Sequence, residues 1–268
     1  MRILVTGSSG FIGRTVVRRL QEQGKHETYC LDRQNIPAAA EWKPEAVIHC
    51  AWGGVSHEFR DDDALQSGGL LLTQTVACAV AGTCRRFVGI GSQAELSQPE
   101  IPYSQYKALT NRYLQRFCKE RNISWAWARL YSVYGPGDNP WTFIPYLIRA
   151  LLRGDTEIPL TDQNIPWDWL YVDDAADALI RLAEVNINGE FELGYGASVL
   201  TQDTARAIRD KINPEAKLLF GLRPKRVKEI PGLLCDIEAI QRATGWWPQV
   251  PISKGLDRTI AWYRQHIR

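Results

Sequence analysis

The chain opens with a short apolar run, Ile3-Leu4-Val5, followed by glycines at 7, 10 and 13 and then a helical pattern that ends at Gly24. This pattern dictates a strand, a glycine turn and an amphipathic helix. The alternation then continues. "TYCLDR" and "AVIHC" read as strands, "DDALQSGGLLLTQTVACAVAG" as a helix, "RRFVGIGS" as a strand and "YSQYKALTNRYLQRFCKERN" as a helix. "ISWAWARLYSVYG" reads as one strand and "PWTFIPYLIRALLRG" as a helix. "DWLYVDDAADALIRLAEV" gives a short strand and a helix, "GEFELGYG" a strand, and "TQDTARAIRDKI" a helix with Thr201 as its N-cap. Strands alternating with helices predict an α/β fold built on a doubly wound parallel sheet. Pro and Gly concentrate after residue 134. The expected division is a first domain of residues 1–134, with 165–193 returning to it, and a small C-terminal lobe of 135–164 and 194–268.

The first turn carries candidate chemistry. A tight glycine turn between strand and helix leaves backbone N–H groups pointing outward at a helix N-terminus, which suits a pyrophosphate. Gly7 permits the turn, Gly10 close approach of a ligand, and Gly13 close packing of helix on strand, with Phe11 and Ile12 in the helix's first turn. The second strand ends at Asp32, about twenty residues further on, where a carboxylate holds the adenosine ribose 2′-hydroxyl and repels a 2′-phosphate. That favours NAD over NADP, while neighbouring Arg33 pulls the other way. The third strand is followed by Ala51, Trp52 and two glycines, so the backbone there can run close to the cofactor. His49, inside the apolar strand, reads as a core histidine. The domain is therefore expected to be a Rossmann-type dinucleotide-binding fold.

Ser92 falls at the C-terminal end of a parallel strand, the edge at which such sheets bind ligands. Tyr103 and Lys107 stand four residues apart and share a helix face. Hydride transfer to or from a carbon bearing oxygen needs these three types. A phenol, with an ordinary pKa of about 10, exchanges a proton with the substrate oxygen. An ammonium nearby favours phenolate and also holds the nicotinamide ribose, and a serine hydroxyl fixes the carbonyl oxygen. In a chain with ten tyrosines a Tyr-x-x-x-Lys means little alone. Downstream of a nucleotide loop, with Ser92 in order, it becomes a candidate catalytic set.

Composition narrows the setting. Of 268 residues 45% are hydrophobic and 23% charged, and the net charge is +2, too mild a balance to imply nucleic acid or an anionic membrane as partner. Asp61-Asp62-Asp63 reads as a loop or helix start rather than a metal site. The six cysteines lie mostly in apolar runs without metal spacing and are expected to be buried, reduced thiols. With no secretory signal and no apolar run near the roughly 18 residues of a membrane span, the expected location is cytoplasmic.

As a set, "TGSSGFIG", "VIHCAW", "GSQAEL", Tyr103-x-x-x-Lys107, "RLYSVYGPG", "WLYVDDAADA", "FELGYGASV" and "TGWWPQVPISKGLDRTIAWY" resemble an extended short-chain dehydrogenase/reductase of the NAD-dependent epimerase/dehydratase family. The likeness covers nearly the whole chain. It implies bound NAD(P), a nucleotide-activated sugar as substrate, a small substrate-binding lobe, and a homodimer formed through helices around 64–81 and 104–120. Tyr103, Lys107 and Tyr131 are the expected cofactor contacts on the nicotinamide side.

Departures from the family pattern shape the rest. Gln93 and Ala94 follow Ser92 where dehydratases carry Asp-Glu, and Glu95 comes one position late, which disfavours a 4,6-dehydratase. Trp167 replaces an arginine and Ser132 an asparagine, removing polar anchors for a nucleoside diphosphate. Arg226, with Arg223 near it, either compensates or belongs to a solvated basic loop. The stretch from Asp32 to His49 is short, so the adenine side should be trimmed.

Gln93, Ser132, Trp167 and Arg226 are the expected substrate contacts. Tyr131 and Tyr134 either line the site or pack in the core. Trp125, Trp127, Trp246 and Trp247 read as packing, and Trp52, Trp141 and Trp167 as loop residues placed to stack on a sugar or base. The expected activity is reduction or oxidation of a ring ketone or hydroxyl of a nucleotide-linked deoxy-ketosugar. Its rivals are an epimerase that recycles its NAD and a non-catalytic NAD(P) sensor or scaffold, which would be expected to have lost Tyr103 or Lys107.

Overall fold

The structure, a computed structural model, describes residues 1–32, 34–97, 101–224 and 232–267; Arg33 and Arg226 lie outside them. In chain order the first elements are β1 (Arg2–Thr6), α1 (Phe11–Gln23), β2 (Glu27–Leu31), α2 (Pro37–Trp42), β3 (Ala46–His49), α3 (Asp63–Val80) and β4 (Arg86–Ser92). Then come α4 (Ala94–Ser97), α5 (Pro102–Glu120), β5 (Ser124–Leu130), β6 (Ser132–Tyr134), α6 (Phe143–Leu152), β7 (Glu157–Leu160) and β8 (Pro166–Tyr171). The last are α7 (Val172–Glu184), β9 (Gly189–Leu193), β10 (Ser198–Leu200), α8 (Thr201–Ile212), β11 (Lys217–Phe220), α9 (Glu238–Thr244) and α10 (Ile252–His266).

The chain forms two compact units, Met1–Tyr131 with Asp173–Leu193 and Ile237–Trp247, and Ser132–Val172 with Gly194–Asp236 and Pro248–Arg268. Compared with the boundaries expected from sequence, 132–134 and 165–172 join the second unit, and 237–247 joins the first.

The first unit holds a six-stranded parallel sheet in the order β2-β1-β3-β4-β5-β9. Residues alternate across it. Leu4, Val47, Phe87 and Trp125 cluster with Val76 of α3 and with Leu114 and Phe117 of α5, while Ile3, Val5 and Ile48 take the opposite face. Helices α1 and α7 are tied by Arg19, whose guanidinium meets both oxygens of Asp177 at 2.9 and 2.7 Å, and by the Arg18–Asp173 pair. The glycine turn after β1, Ala51 after β3 and Ser92 ending β4 all lie at the carboxyl edge of the sheet.

In the second unit β8 pairs antiparallel with β10 and parallel with β6, and β7 pairs with β11. Ile144, Leu147 and Ile148 of α6, Ile208 of α8 and Ile260 of α10 build its core. Asp168 of β8 is fully buried and accepts the backbone N–H groups of Tyr195 (2.6 Å), Gly196 (2.9 Å) and Cys235 (3.3 Å). Asp168→Ala strands these three donors. Only the Cys235 N–H is fully buried, so at about 1–3 kcal/mol for a buried unpaired group urea unfolding should register a loss of at least about 1 kcal/mol.

Several expectations are corrected. "ISWAWARLYSVYG" is two strands, because a continuous β-type pattern carries no mark of the sheet each half joins. Thr201 does not cap α8; Leu200 does, and the Thr201 hydroxyl donates to the Gln163 carbonyl and accepts the Ile165 N–H. Cys84, Cys118 and Cys235 are buried, but Cys30 on the edge strand β2 and Cys78 on α3 are exposed, and all six are free thiols. Trp125, Trp127 and Trp246 pack in the core, whereas Trp247 is exposed. The short helix α2, with Pro at its start and Trp42 stacked on Tyr29 at 5.4 Å, fills the trimmed stretch before β3.

Candidate active site

Gly7 has φ +63°, and a Cβ there would lie 2.7 Å from the backbone N of Ala51. A Cβ on Gly13 would lie 2.1 Å from the Gly7 carbonyl oxygen, so α1 packs on the loop itself as well as beside the strand. A Cβ on Gly10 would meet only that same carbonyl, at 3.2 Å. Gly10 is the N-cap of α1 and supplies no side-chain cap, and the first turn carries no acid. The half-buried Phe11 and Ile12 thus present their N–H groups at a positive helix end with no competing side chain. Asp32 is exposed beyond β2, with one oxygen accepting the Gln34 N–H at 2.9 Å. These residues fit a dinucleotide: a bare cradle, an anion-ready helix end and a carboxylate past the next strand.

Below the cradle, His49 is a satisfied core histidine. Thr73 donates to the Gly69 carbonyl, so its oxygen takes the His49 Nε2 proton at 2.9 Å. Thr6 accepts the Ala51 N–H at 3.1 Å and bonds His49 Nδ1 at 2.9 Å. Burial, and then the Lys107 charge, press the imidazole pKa down to about 3, so the ring is neutral and couples β3 to the loop.

Ser92, Tyr103 and Lys107 are brought together, each under a tenth exposed. The Ser92 hydroxyl accepts the Ala94 N–H at 3.2 Å and lies beside the Tyr103 phenol, whose ionisation it favours. Burial raises the Tyr103 pKa above the ordinary phenol value; the Arg60 charge and the Ser92 hydroxyl oppose this. Arg60, with its guanidinium carbon 4.8 Å from the Tyr103 ring centroid, stands beside the phenol as a second cation, and Lys107 Nζ lies 5.9 Å from the same centroid. The Arg60 carbonyl also accepts the Tyr103 N–H. Lys107 Nζ donates to the Ile90 carbonyl at 2.7 Å and lies 3.9 Å from the Trp52 ring centroid. Burial lowers its pKa to about 7.

Trp52 is packed rather than free to stack. Its ring covers Gly69, where a Cβ would lie 2.7 Å away, and its indole N–H donates to Gln66 at 2.8 Å. Fully buried Gln66 in turn donates to the carbonyls of Gly54 and Phe59. Sequence reasoning passed over Gln66 and Arg60, since only the fold brings 52–60 against α3 and α5. The apolar break at Gln66 within "DDALQSGGLLL" was the available signal.

Tyr131 is buried and its hydroxyl donates to Glu192 at 2.8 Å. Gln93 is half-buried, its N–H on the Leu130 carbonyl. In the second unit, Trp167 donates its indole N–H to the Ser132 hydroxyl at 2.6 Å, so the two departures from the family pattern form one pair. Tyr134 is a core residue there, edge-on to Tyr171 and Trp169. Trp141 is exposed. Asp62 caps α3 by accepting the Leu65 N–H, and among the described residues no cluster of three metal-ligating side chains occurs. Nor is any described helix long and apolar enough to cross a membrane.

Residues 3–194 match the family model of the NAD dependent epimerase/dehydratase family. The chain belongs to that family. Its members are enzymes acting on nucleotide sugars as epimerases, dehydratases and reductases. UDP-glucose 4-epimerase of Mycolicibacterium smegmatis is 25% identical, over 98% of this chain and 99% of the relative. The structure of UDP-glucose 4-epimerase from Thermotoga maritima with UDP-glucose superposes with a TM-score of 0.87 at 21% identity, covering both chains fully. That of the Thermus thermophilus UDP-glucose 4-epimerase with NAD gives 0.86 at 21% identity, again over both full chains. The last two likenesses establish the Rossmann-like fold.

Proposed function

We propose that this family member is an NAD(P)-dependent oxidoreductase that reduces, or in reverse oxidises, a ring ketone or hydroxyl of a nucleotide-linked deoxy-ketosugar. The observation that carries this reading is the buried Tyr103 phenol beside buried Ser92, one helical turn from buried Lys107. When bound, the cofactor supplies or accepts the hydride. Tyr103 gives the proton to the substrate oxygen or takes it back, and Ser92 orients that oxygen. Lys107 holds the nicotinamide ribose, and Ala51, Trp52 and Tyr131 border the cofactor. Gly7, Gly10 and Gly13, with the N–H groups of Phe11 and Ile12, hold the pyrophosphate. Asp32 holds the adenosine ribose and favours NAD. Gln93 is the proposed sugar-facing group. The Glu95 carboxylate is committed to protein donors, which supports a reaction without loss of water.

A second reading is an epimerase with retained NAD, favoured by the likeness to the Mycolicibacterium smegmatis UDP-glucose 4-epimerase. Denaturing fresh protein and weighing any released nucleotide by mass spectrometry separates the two. We expect an empty chain that then binds NADH or NADPH in titration. Stoichiometric NAD would favour the epimerase, and binding neither would sink both. Native mass spectrometry of the same sample tests the proposed homodimer, which exposed Leu71 of α3 and Leu109 of α5 support; the mass of two chains is expected.

A further inference from the structure

Glu95 has an ionisable side chain only 3% exposed, a costly arrangement unless the fold provides for it. Its Oε1 accepts the Ser92 N–H at 2.7 Å. The Trp127 indole N–H donates to Oε2 at 3.0 Å, and Arg129 Nη2 lies 3.5 Å from the same oxygen. Room for this is made at Gly91, where a Cβ would stand 2.6 Å from Glu95 Oε1 and 2.3 Å from Trp127 Nε1. Arg129 does not belong to Glu95 alone, because Glu190 holds it at 2.6 Å and Glu192 lies at 3.9 Å. Three carboxylates share one guanidinium, so the charge of Glu95 is not cancelled.

We infer that Glu95 is a positioning residue of the Ser92–Tyr103–Lys107 site: its buried carboxylate anchors Ser92 at the strand end and presents a fixed negative charge to the phenol and the ammonium. The inference rests on the proposed reaction, whose own test is cofactor binding. The field of Glu95 raises the pKa of Lys107, against the larger lowering by burial, and adds to the raised pKa of Tyr103. The other groups facing them are Arg60 over the Tyr103 ring, the Ser92 hydroxyl, the Cys50 thiol beside Lys107 and neutral His49. Behind Glu95 stand Arg129, Glu190 and Glu192.

The ligand-free full chain, isotope-labelled at lysine Cε, allows Lys107 to be titrated by NMR, with Lys107→Met providing the assignment. Removing the negative charge disfavours the ammonium, so Glu95→Gln and Glu95→Met should both move the midpoint from about 7 to lower pH, by about one unit, the low end for a neighbouring opposite charge. Glu95→Asp, which keeps the charge, should stay near wild type. Hydrogen exchange of the Ser92 amide should remain slow in Glu95→Gln, which keeps an acceptor, and quicken in Glu95→Met. An unmoved Lys107 midpoint in whichever neutral variant folds overturns the charge role. Unchanged Ser92 protection in Glu95→Met overturns the anchoring role. Neither result depends on turnover, and a chain that binds no dinucleotide would instead defeat the proposed reaction.

Discussion

Tyr103→Phe is expected to lower turnover by at least about 10²-fold, the usual scale for a general acid/base, while leaving NAD(H) affinity near that of the wild type. The substitution removes one hydroxyl from a buried ring whose face is held by Arg60 and whose backbone N–H is on the Arg60 carbonyl, so the fold has little reason to move. What is lost is the hydroxyl beside Ser92 and its exchangeable proton. The pH dependence follows from the sign of the shift. Burial raises the Tyr103 pKa, so the group stays a phenol through neutrality and is ready to donate, as reduction requires. Oxidation requires the phenolate, so its rate should climb with pH, and that climb should vanish in the Phe variant. Steady-state rates in both directions, on any nucleotide sugar the wild type turns over, check both statements. A fully active Tyr103→Phe would remove the catalytic assignment.

What the sequence could carry is set by where each signal lives. The cradle was legible because its glycines follow a strand and open a helix within a few residues. The Tyr103–Lys107 face was legible because helical periodicity is local. Arg60, Gln66 and the Glu95–Arg129 cluster were not, because their meaning depends on pairings across the sheet. Register sets Gly91 beside Arg129, and Arg129 beside Glu192. Nothing in "GSQAEL" says that its glutamate folds back onto the Ser92 N–H. The same limit explains the expectation for Lys107. Spacing puts it on the face of Tyr103, but the Ile90 carbonyl and the Trp52 ring, neither nearby in sequence, decide where its ammonium rests. Ser132 and Trp167 were singled out as missing anchors, and their hydrogen bond to each other became visible only once β6 and β8 were seen to pair.

Gly13→Ala should be the most damaging single-methyl change in the cradle. Helix propensity alone favours Ala over Gly by roughly 0.5–1 kcal/mol, so any loss has to come from contact. The added Cβ would stand 2.1 Å from the carbonyl oxygen and 2.7 Å from the carbonyl carbon of Gly7, both backbone atoms with no rotamer to yield. Either α1 lifts from the loop or Gly7 shifts, and Gly7 is itself pinned, since a Cβ there would already touch Ala51. Overpacking of this kind costs on the order of 1–3 kcal/mol, so urea unfolding should show net destabilisation despite the better helix former. Binding should suffer more. Misaligning two charge-assisted N–H contacts to a pyrophosphate, at about 1.5–3 kcal/mol each, weakens dinucleotide affinity by about 10²-fold or more. Titration of NADH by protein fluorescence measures it directly. If Gly13→Ala is destabilised yet binds as the wild type does, the loop is a packing device and the cofactor sits elsewhere. If stability and affinity fall together, the close approach of α1 to Gly7 is what shapes the anion site.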